Sequence, residues 1–461
     1  MDDVAVKWPP IFTQRIATWL GEDASLFFDA LGKHDVGLRL NSLRGPLASL
    51  HSVIPWETHP VPWCDAGLIL DHDDGTASKH PYHTAGVYYM QDPSAMAAAV
   101  ILDPKPDEWI LDVAAAPGGK ATHIAARMQN KGVLVANDTV RRRTSVLARN
   151  IERMGISNTM ITNETPDRLA SRWAGLFDAV LVDAPCSGES IFARDARSVH
   201  DWSLQAVSQY AHTQNTILDQ VVPLVRPGGR ILYGTCTFAP EENEGVIDAF
   251  LKRHQDFQIV ALPEFYHLFP GQSQWIGADD SLRLAGRFWP HKGPGHGHFY
   301  ALLQRRGPSP TDLPERWRNM QCPGRVLKLY EKYMADVLQI SPFKKGLFLT
   351  PEDDLYIVPM NPKLWSDLRV LRPGLWVAAL RHNKINPDHA LAMTLTPEEV
   401  QNSVNLTVED PHLRNYLDGS QWVEAGEGGF VLVTVDRFPL GWAKRIDGRL
   451  RSRYPVHLRR Q

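Results

Sequence analysis

Between about residue 90 and residue 305 the chain repeats one pattern: a short apolar run, a longer stretch of helical character, then another apolar run. The runs are WILDV (109–113), GVLVAND (132–138), TMITNE (159–164), DAVLVDAP (178–185) and GRILYGTCT (229–237), with THIAARM and RRRTSVLARNIERMG among the helical stretches. Strands separated by crossover helices pair in parallel and are covered on both faces, so this alternation predicts an α/β fold with a Rossmann-like doubly wound sheet. A chain of 461 residues, 43% of them hydrophobic, can bury more than one core. We therefore expect a small α+β domain over residues 1–90, the sheet domain over 91–305, a linker and first C-terminal domain over 306–388, and a β-rich domain over 389–461. GLRLNSLRG (Gly37 to Gly45) is a basic strand candidate in the first of these, and the Gly- and Pro-dense stretch 293–314 reads as the linker leading out of the second.

Charge is nearly balanced, 49 Lys+Arg against 52 Asp+Glu for a formal −3, so a nucleic-acid surface has to be a local patch. From Arg437 to Gln461 eight Lys or Arg accompany one acidic residue and interleave with Phe438, Trp442 and Tyr454. That mixture suits phosphate contact and base stacking, and composition alone fits a solvated tail as well. The opening MDDVAVKWPPIF lacks a signal-peptide pattern and no apolar stretch approaches a membrane span, which predicts a soluble, cytoplasmic protein with no membrane partner.

The segment from Leu111 to Lys120 joins the first strand to a helix. Its small residues Ala114, Ala115, Ala116, Pro117, Gly118 and Gly119 let backbone amides approach a ligand. Ala and Pro stand where a dinucleotide motif needs glycine, and Lys120 is not followed by the Ser or Thr of a phosphate-binding P-loop. Alone, the loop fits a nucleotide-like ligand or a simple tight turn. Asp138, at the end of the second strand where an acid can bind ribose hydroxyls, tips the reading toward an adenosine-type ligand.

Four cysteines at spacings of 122, 50 and 86 fit neither a disulfide framework nor a CxxC zinc site. Asp183-Ala184-Pro185-Cys186-Ser187-Gly188 closes the fourth strand and Gly234-Thr235-Cys236-Thr237 the fifth, so both thiols are expected in the crevice at the carboxyl ends of the strands. A redox pair is the lesser reading for a cytosolic chain, and Cys64 and Cys322 are expected to be inert packing. His291, His296 and His298 lack carboxylate or thiol partners at ligand spacing, so no metal is expected.

YYMQDPSAM (88–96), the AAAPGGK loop, DAPCSGES (183–190), TCTFAPEENEGV (235–246), RFWPHKGPGHGHF (287–299) and RLRSRYPVHLR (449–459) occur in this order. Together they resemble the RNA 5-methylcytosine methyltransferase family, over nearly the whole chain. The long C-terminal extension resembles the bacterial branch that acts on small-subunit ribosomal RNA. The resemblance implies S-adenosyl-L-methionine as cofactor, held by residues 114–120, Asp138, Arg143, Glu164 and Asp183. It also implies RNA as partner, either small-subunit ribosomal RNA or a ribosome assembly intermediate, contacted by the N-terminal domain and a PUA-like domain over 389–461. The chain is expected to act as a monomer. In the family the TC cysteine adds to the base and the PC cysteine assists proton removal and release, roles that fall here on Cys236 and Cys186; Lys120 resembles the family's site lysine. Carbon 5 of cytosine is a poor nucleophile, and a thiolate adding at carbon 6 makes an enamine that can attack a methyl donor. Asp183 can then hydrogen-bond ring nitrogen 3 and the amino group and stabilise the adduct.

Departures from the family pattern are few. An acid usual after the third strand is replaced by Thr162-Asn163-Glu164, leaving Glu164 as the candidate, and the usual GEG is Gly188-Glu189-Ser190. Arg143 stands beside Arg141 and Arg142, which also read as a solvated helix face. Rival functions are an amino-group methyltransferase, which would carry a DPPY-like motif where DAPC stands, the same chemistry on tRNA or DNA, and a non-catalytic RNA-binding ribosome assembly factor. The two thiols at one crevice argue against the last.

Overall fold

The computed structural model describes residues 8–33, 35–72, 74–308, 322–339 and 346–459. Five parallel strands form its centre, in the order Val225–Thr235, Phe177–Asp183, Trp109–Asp112, Val133–Asn137, Thr159–Thr162. The chain steps outward from Trp109–Asp112 in one direction and then returns to build on its other side, and this reversal opens a crevice at the carboxyl ends. Burial on both faces is why these strands read as continuous apolar runs. Their side chains still alternate between two cores. Ile110, Ala136, Ile161 and Leu181 join one with helices Gly119–Arg127 and Arg141–Arg153; Leu111, Val135, Met160 and Val182 join the other with Leu204–Val221 and Glu244–Arg253.

Antiparallel strands extend the sheet at both edges. His298–Arg305 lies beside Val225–Thr235 and is followed by Gly286–Phe288 and Leu268–Pro270, while Val370–Arg372 pairs with Thr159–Thr162 at the far edge. The stretch 293–314 is therefore not simply a linker. Between Gly297 and Gly307, HFYALLQR, rich in aromatic and apolar residues, is an internal strand; residues 309–321 lie outside the described residues. The central sheet also recruits an edge strand from within 306–388, a pairing that short VLR gives no means of anticipating.

The N-terminal region carries a four-stranded antiparallel sheet ordered Thr58–Val61, Cys64–Leu70, Gly37–Leu40, Tyr88–Met90. The basic strand candidate is a strand only over Gly37–Leu40, and its arginines point inward. Arg39 is 1% exposed and donates to the carbonyl of Gly119 at 2.5 Å, to Thr122 Oγ1 at 2.8 Å and to Gln91 Oε1. Arg44 donates to the carbonyls of Ala85, Arg153 and Met393. These guanidiniums tie domains together, which satisfies buried carbonyls that would otherwise cost about 1–3 kcal/mol each.

Toward the C-terminus a four-stranded sheet (Leu347–Leu349, Asp354–Ile357, Leu375–Arg381, Lys384–Pro387) precedes a five-stranded one. The latter is ordered Ser403–Leu406, Gly429–Val435, Phe438–Ile446, Arg449–Ser452, Gln421–Val423. Trp442 and Tyr454, expected as stacking residues, are core residues instead, and the Trp442 indole donates to the Asp388 carbonyl at 2.9 Å. Alternation along Arg449–Ser452 buries Leu450 and leaves Arg449, Arg451 and the following Arg453 exposed. Arg460 and Gln461 lie outside the described residues. This sheet shares a core with the N-terminal region: Leu413, Tyr416 and Leu440 cluster with Leu38 and Tyr82, and the Tyr82 hydroxyl donates to Asp436 at 2.9 Å. Among the described residues, no helix is long and apolar enough to cross a membrane.

Candidate active site

The loop from Val113 to Gly118 is held from several sides. The Ala115 amide donates to the Asn137 carbonyl at 2.7 Å, Asn150 Nδ2 to the Pro117 carbonyl at 2.9 Å, and Arg143 to the Ala116 carbonyl at 2.5 Å. Gly118 adopts φ +114°, and a Cβ there would press on Leu147 Cδ1 at 3.2 Å, so glycine is required on both counts. Ala114 caps back, its amide 3.3 Å from Asp112 Oδ1.

Asp138, 2% exposed, accepts from the Val140 amide at 2.8 Å through Oδ1. Its buried Oδ2 has no hydrogen-bond donor among the described residues, only Arg143 Nη1 at 3.4 Å. A buried carboxylate oxygen left in this state is an acceptor held ready for ligand hydroxyls. With the glycine cradle beside it, this fits the adenosine half of S-adenosylmethionine. Arg143 thus orders the loop and neighbours Asp138. Glu164 is differently employed: Oε1 accepts from the Arg369 amide at 2.7 Å and Oε2 lies 3.3 Å from its guanidinium, so the expected adenine-side contact gives way to a tie with the edge-strand segment.

The two cysteine motifs meet as expected at the strand ends. Cys186 Sγ and Cys236 Sγ are 3.3 Å apart as free thiols, and Lys120 Nζ pairs with Asp183 at 2.5 Å. The two thiols differ in acidity. The hydrogen bond from Cys186 lowers the pKa of Cys236, and the Lys120 charge lowers it further against the opposition of burial and Asp183. The same hydrogen bond, with burial and the nearby Glu242 carboxylate, pushes Cys186 well up. Burial disfavours the Lys120 charge, but Asp183, Cys236 and Asp112 outweigh it and the ammonium is stabilised. Cys236 is therefore the thiol poised as thiolate and Cys186 the one that holds its proton. Cys64 is a different case, pushed up to about 11 by burial, and burial also raises Cys322.

Several supporting residues carry no signal that singles them out in the sequence. Glu242 Oε2 accepts from the Ser187 amide at 3.0 Å and from Gln214 Nε2 at 2.8 Å, while Gln214 also donates to the Pro185 carbonyl at 2.9 Å. Ser187 and Thr237 hydroxyls lie 2.8 Å apart, and the Ser190 amide donates to the Cys236 carbonyl at 3.1 Å. Glu189 bridges the Phe238 amide at 2.8 Å and the Trp202 indole at 2.9 Å. These bonds fasten the PC loop to the TC loop. The acid-rich PEENE run offers a hint of Glu242, but nothing in the sequence brings Gln214 to it.

A doubly wound sheet, a glycine-cornered loop facing a buried acid, and paired thiols beside a lysine–aspartate pair fit a Rossmann-like methyltransferase. Four family descriptions match consecutive stretches. They are the N-terminal domain of 16S rRNA methyltransferase RsmF over residues 8–93, 16S rRNA methyltransferase RsmB/F over 99–304, the RsmF first C-terminal domain over 332–395, and the methyltransferase RsmF PUA domain over 403–460. Ribosomal RNA small subunit methyltransferase F of Escherichia coli (strain SE11) is 30% identical over 440 residues, covering 91% of this chain and 89% of its own. The chain belongs to the RsmB/F family of 16S rRNA methyltransferases. Among solved structures, a methyltransferase homologue from Pyrococcus horikoshii matches with TM-score 0.59 and 27% identity over 66% of this chain and 97% of its own. NSun6 from the same organism shares the fold, with TM-score 0.55 and 21% identity over 65% of this chain and 99% of its own.

Proposed function

We propose that this chain transfers a methyl group to carbon 5 of a cytosine in small-subunit ribosomal RNA, in the cytoplasm, through a covalent adduct with Cys236. The observation that carries this reading is the pair of free thiols 3.3 Å apart at the strand ends, next to the Lys120–Asp183 pair. S-adenosylmethionine, held by the loop 114–119 and Asp138, supplies an electrophilic methyl group. Cys236 Sγ adds to carbon 6, moving the electron pair of the 5,6 double bond onto carbon 5, which would then take the methyl group as its bond to the sulfonium sulfur breaks and that electron pair stays on sulfur. Asp183 and Lys120 hold the base and balance the charge that moves onto its ring. Cys186 removes the carbon 5 proton as a thiolate, once its own proton has passed to solvent; the electron pair left on carbon 5 re-forms the double bond and expels Cys236.

The reading as a non-catalytic assembly factor has no observation in its favour, since nothing but chemistry requires two thiols of unlike acidity at the strand ends. Bisulfite sequencing of ribosomal RNA from cells lacking the chain, restored with wild type or with Cys236→Ala, tests the proposal. One protected cytosine or more should disappear on deletion and return only with wild type. Protection restored by Cys236→Ala, or a change confined to tRNA, would refute it.

A further inference from the structure

His298 begins the strand His298–Arg305 and lies at the mouth of the same crevice. Phe299 pairs with Thr235 and Tyr300 with Gly234. This ladder ends one residue short of Cys236, so His298, the residue before Phe299, begins its strand at the Cys236 end of the neighbouring one, where the Lys120 and Asp183 charges act on its ring. Its ring stacks on Tyr300, with centroids 5.5 Å apart and planes 9° from parallel.

The ring is held by a chain of polar groups from the start of helix Pro93–Leu102. His298 Nδ1 is 2.8 Å from Ser94 Oγ, and Ser94 Oγ donates to Asp92 Oδ1. Asp92 also accepts from the amides of Ala95 at 3.2 Å and His296 at 3.0 Å, and Ser94 Oγ accepts from the Gly297 amide at 3.2 Å. The Asp92 carboxyl is held below its ordinary range against burial by the neighbouring His296 and by these hydrogen bonds. A hydroxyl has one proton, and here it goes to the carboxylate, so the hydrogen between Ser94 and His298 must sit on Nδ1. The neutral ring then carries its lone pair on Nε2, which has no protein partner among the described residues. Burial and the Lys120 charge push His298 down to about 4, keeping the ring neutral.

We propose that His298 is a specificity-determining residue whose Nε2 accepts a hydrogen bond from a donor group of the target nucleotide, its tautomer fixed by Ser94 and Asp92. The donor is an N–H or O–H belonging to that nucleotide, either the exocyclic amino group of the base or the ribose 2′-hydroxyl. The inference rests on the cytosine-methylating reading, because Cys236 fixes where the nucleotide sits. Asp183 and Lys120 charge the crevice, and an uncharged acceptor within reach of those charges adds recognition without competing for the Lys120 ammonium.

The test is a double-mutant cycle on short RNA substrates with wild type, His298→Phe, His298→Gln and Ser94→Ala. Each enzyme is assayed on the natural target nucleotide, on its 2′-deoxy form, and on a pyrimidin-2-one lacking the amino group. His298→Phe should lower kcat/KM on the natural substrate about ten- to a hundred-fold while leaving S-adenosylmethionine affinity by calorimetry unchanged. His298→Gln, which keeps an acceptor, should recover most of that loss, and Ser94→Ala should fall between. One of the two nucleotide changes should be deleterious with wild type and nearly silent with His298→Phe, identifying the donor. If both changes remain as damaging in His298→Phe as in wild type, the proposed contact does not exist. If wild type makes no 5-methylcytosine at all, the underlying reading fails instead, so the two failures are separable.

Discussion

Asp112 ends the first strand fully buried, and its Oδ2 has no hydrogen-bond partner among the described residues; burial first, and then Asp183, push its carboxyl up to about 8. Between the ordinary carboxylate range and about 8 the native chain holds a proton that the unfolded chain has released. The stability this group contributes is therefore fully present below its ordinary value and is lost as pH rises through about 8. Urea unfolding between about pH 5 and pH 8 should show stability falling by up to about 1.4 kcal/mol per pH unit, with the slope vanishing above that, and Asp112→Asn should flatten it. An equal slope in the variant would mean that Asp112 is already ionised. The sequence displays Asp112 inside the loop motif, but its protonation depends on Asp183 across the crevice, which no local pattern encodes. Cys186, Cys236, Asp183 and Lys120 are legible because each sits in a motif at a strand end. The role of Glu164 is not, because Arg369, its actual partner, comes from a distant segment.

At the scale of elements, the five parallel strands are readable because burial on both faces leaves an unbroken apolar run with a helix after it. The antiparallel additions are not. Val370–Arg372 is three residues long and gains its place by pairing with Thr159–Thr162 and by the Arg372 bond to buried Glu152 at 2.6 Å, neither of which periodicity reports. His298–Arg305 is hidden by the glycines that precede it. The basic strand Gly37–Leu40 shows the same limit from the other side: charge in a sequence says nothing of which way a guanidinium points, and Arg39 turns inward because the carbonyl of Gly119 needs a donor.

Across the whole molecule the C-terminal sheet is packed into the core it shares with the N-terminal region, so removing residues 390–461 would expose apolar surface and confound any binding measurement. Its outward arginines offer a cleaner test. Replacing Arg449, Arg451 and Arg453 together by Glu leaves Leu450 and Trp442 in place. RNA binding should weaken, and the slope of log K against log salt should become shallower by roughly 0.7 to 0.9 for each phosphate no longer neutralised, with cofactor affinity unchanged. An unchanged slope would return this face to a solvated surface. The tail's basic character is visible in the sequence, but which of its aromatic residues are free is not, because Phe438–Ile446 is buried along most of its length, Trp442 included, and the chain after Arg449–Ser452 turns Tyr454 into the core.

The central claim is the division of labour between two thiols in contact, and trapping measures it directly. Wild type, Cys186→Ala and Cys236→Ala are incubated with target RNA and S-adenosylmethionine and resolved by denaturing electrophoresis. Cys186→Ala keeps the nucleophile and loses the group that takes the carbon 5 proton, so a covalent protein–RNA complex should accumulate while released product falls by about a hundred-fold or more. Cys236→Ala should give neither complex nor product. A complex that accumulates only with Cys236→Ala would reverse the two roles, and methyl transfer undiminished in both variants would contradict the cysteine mechanism altogether.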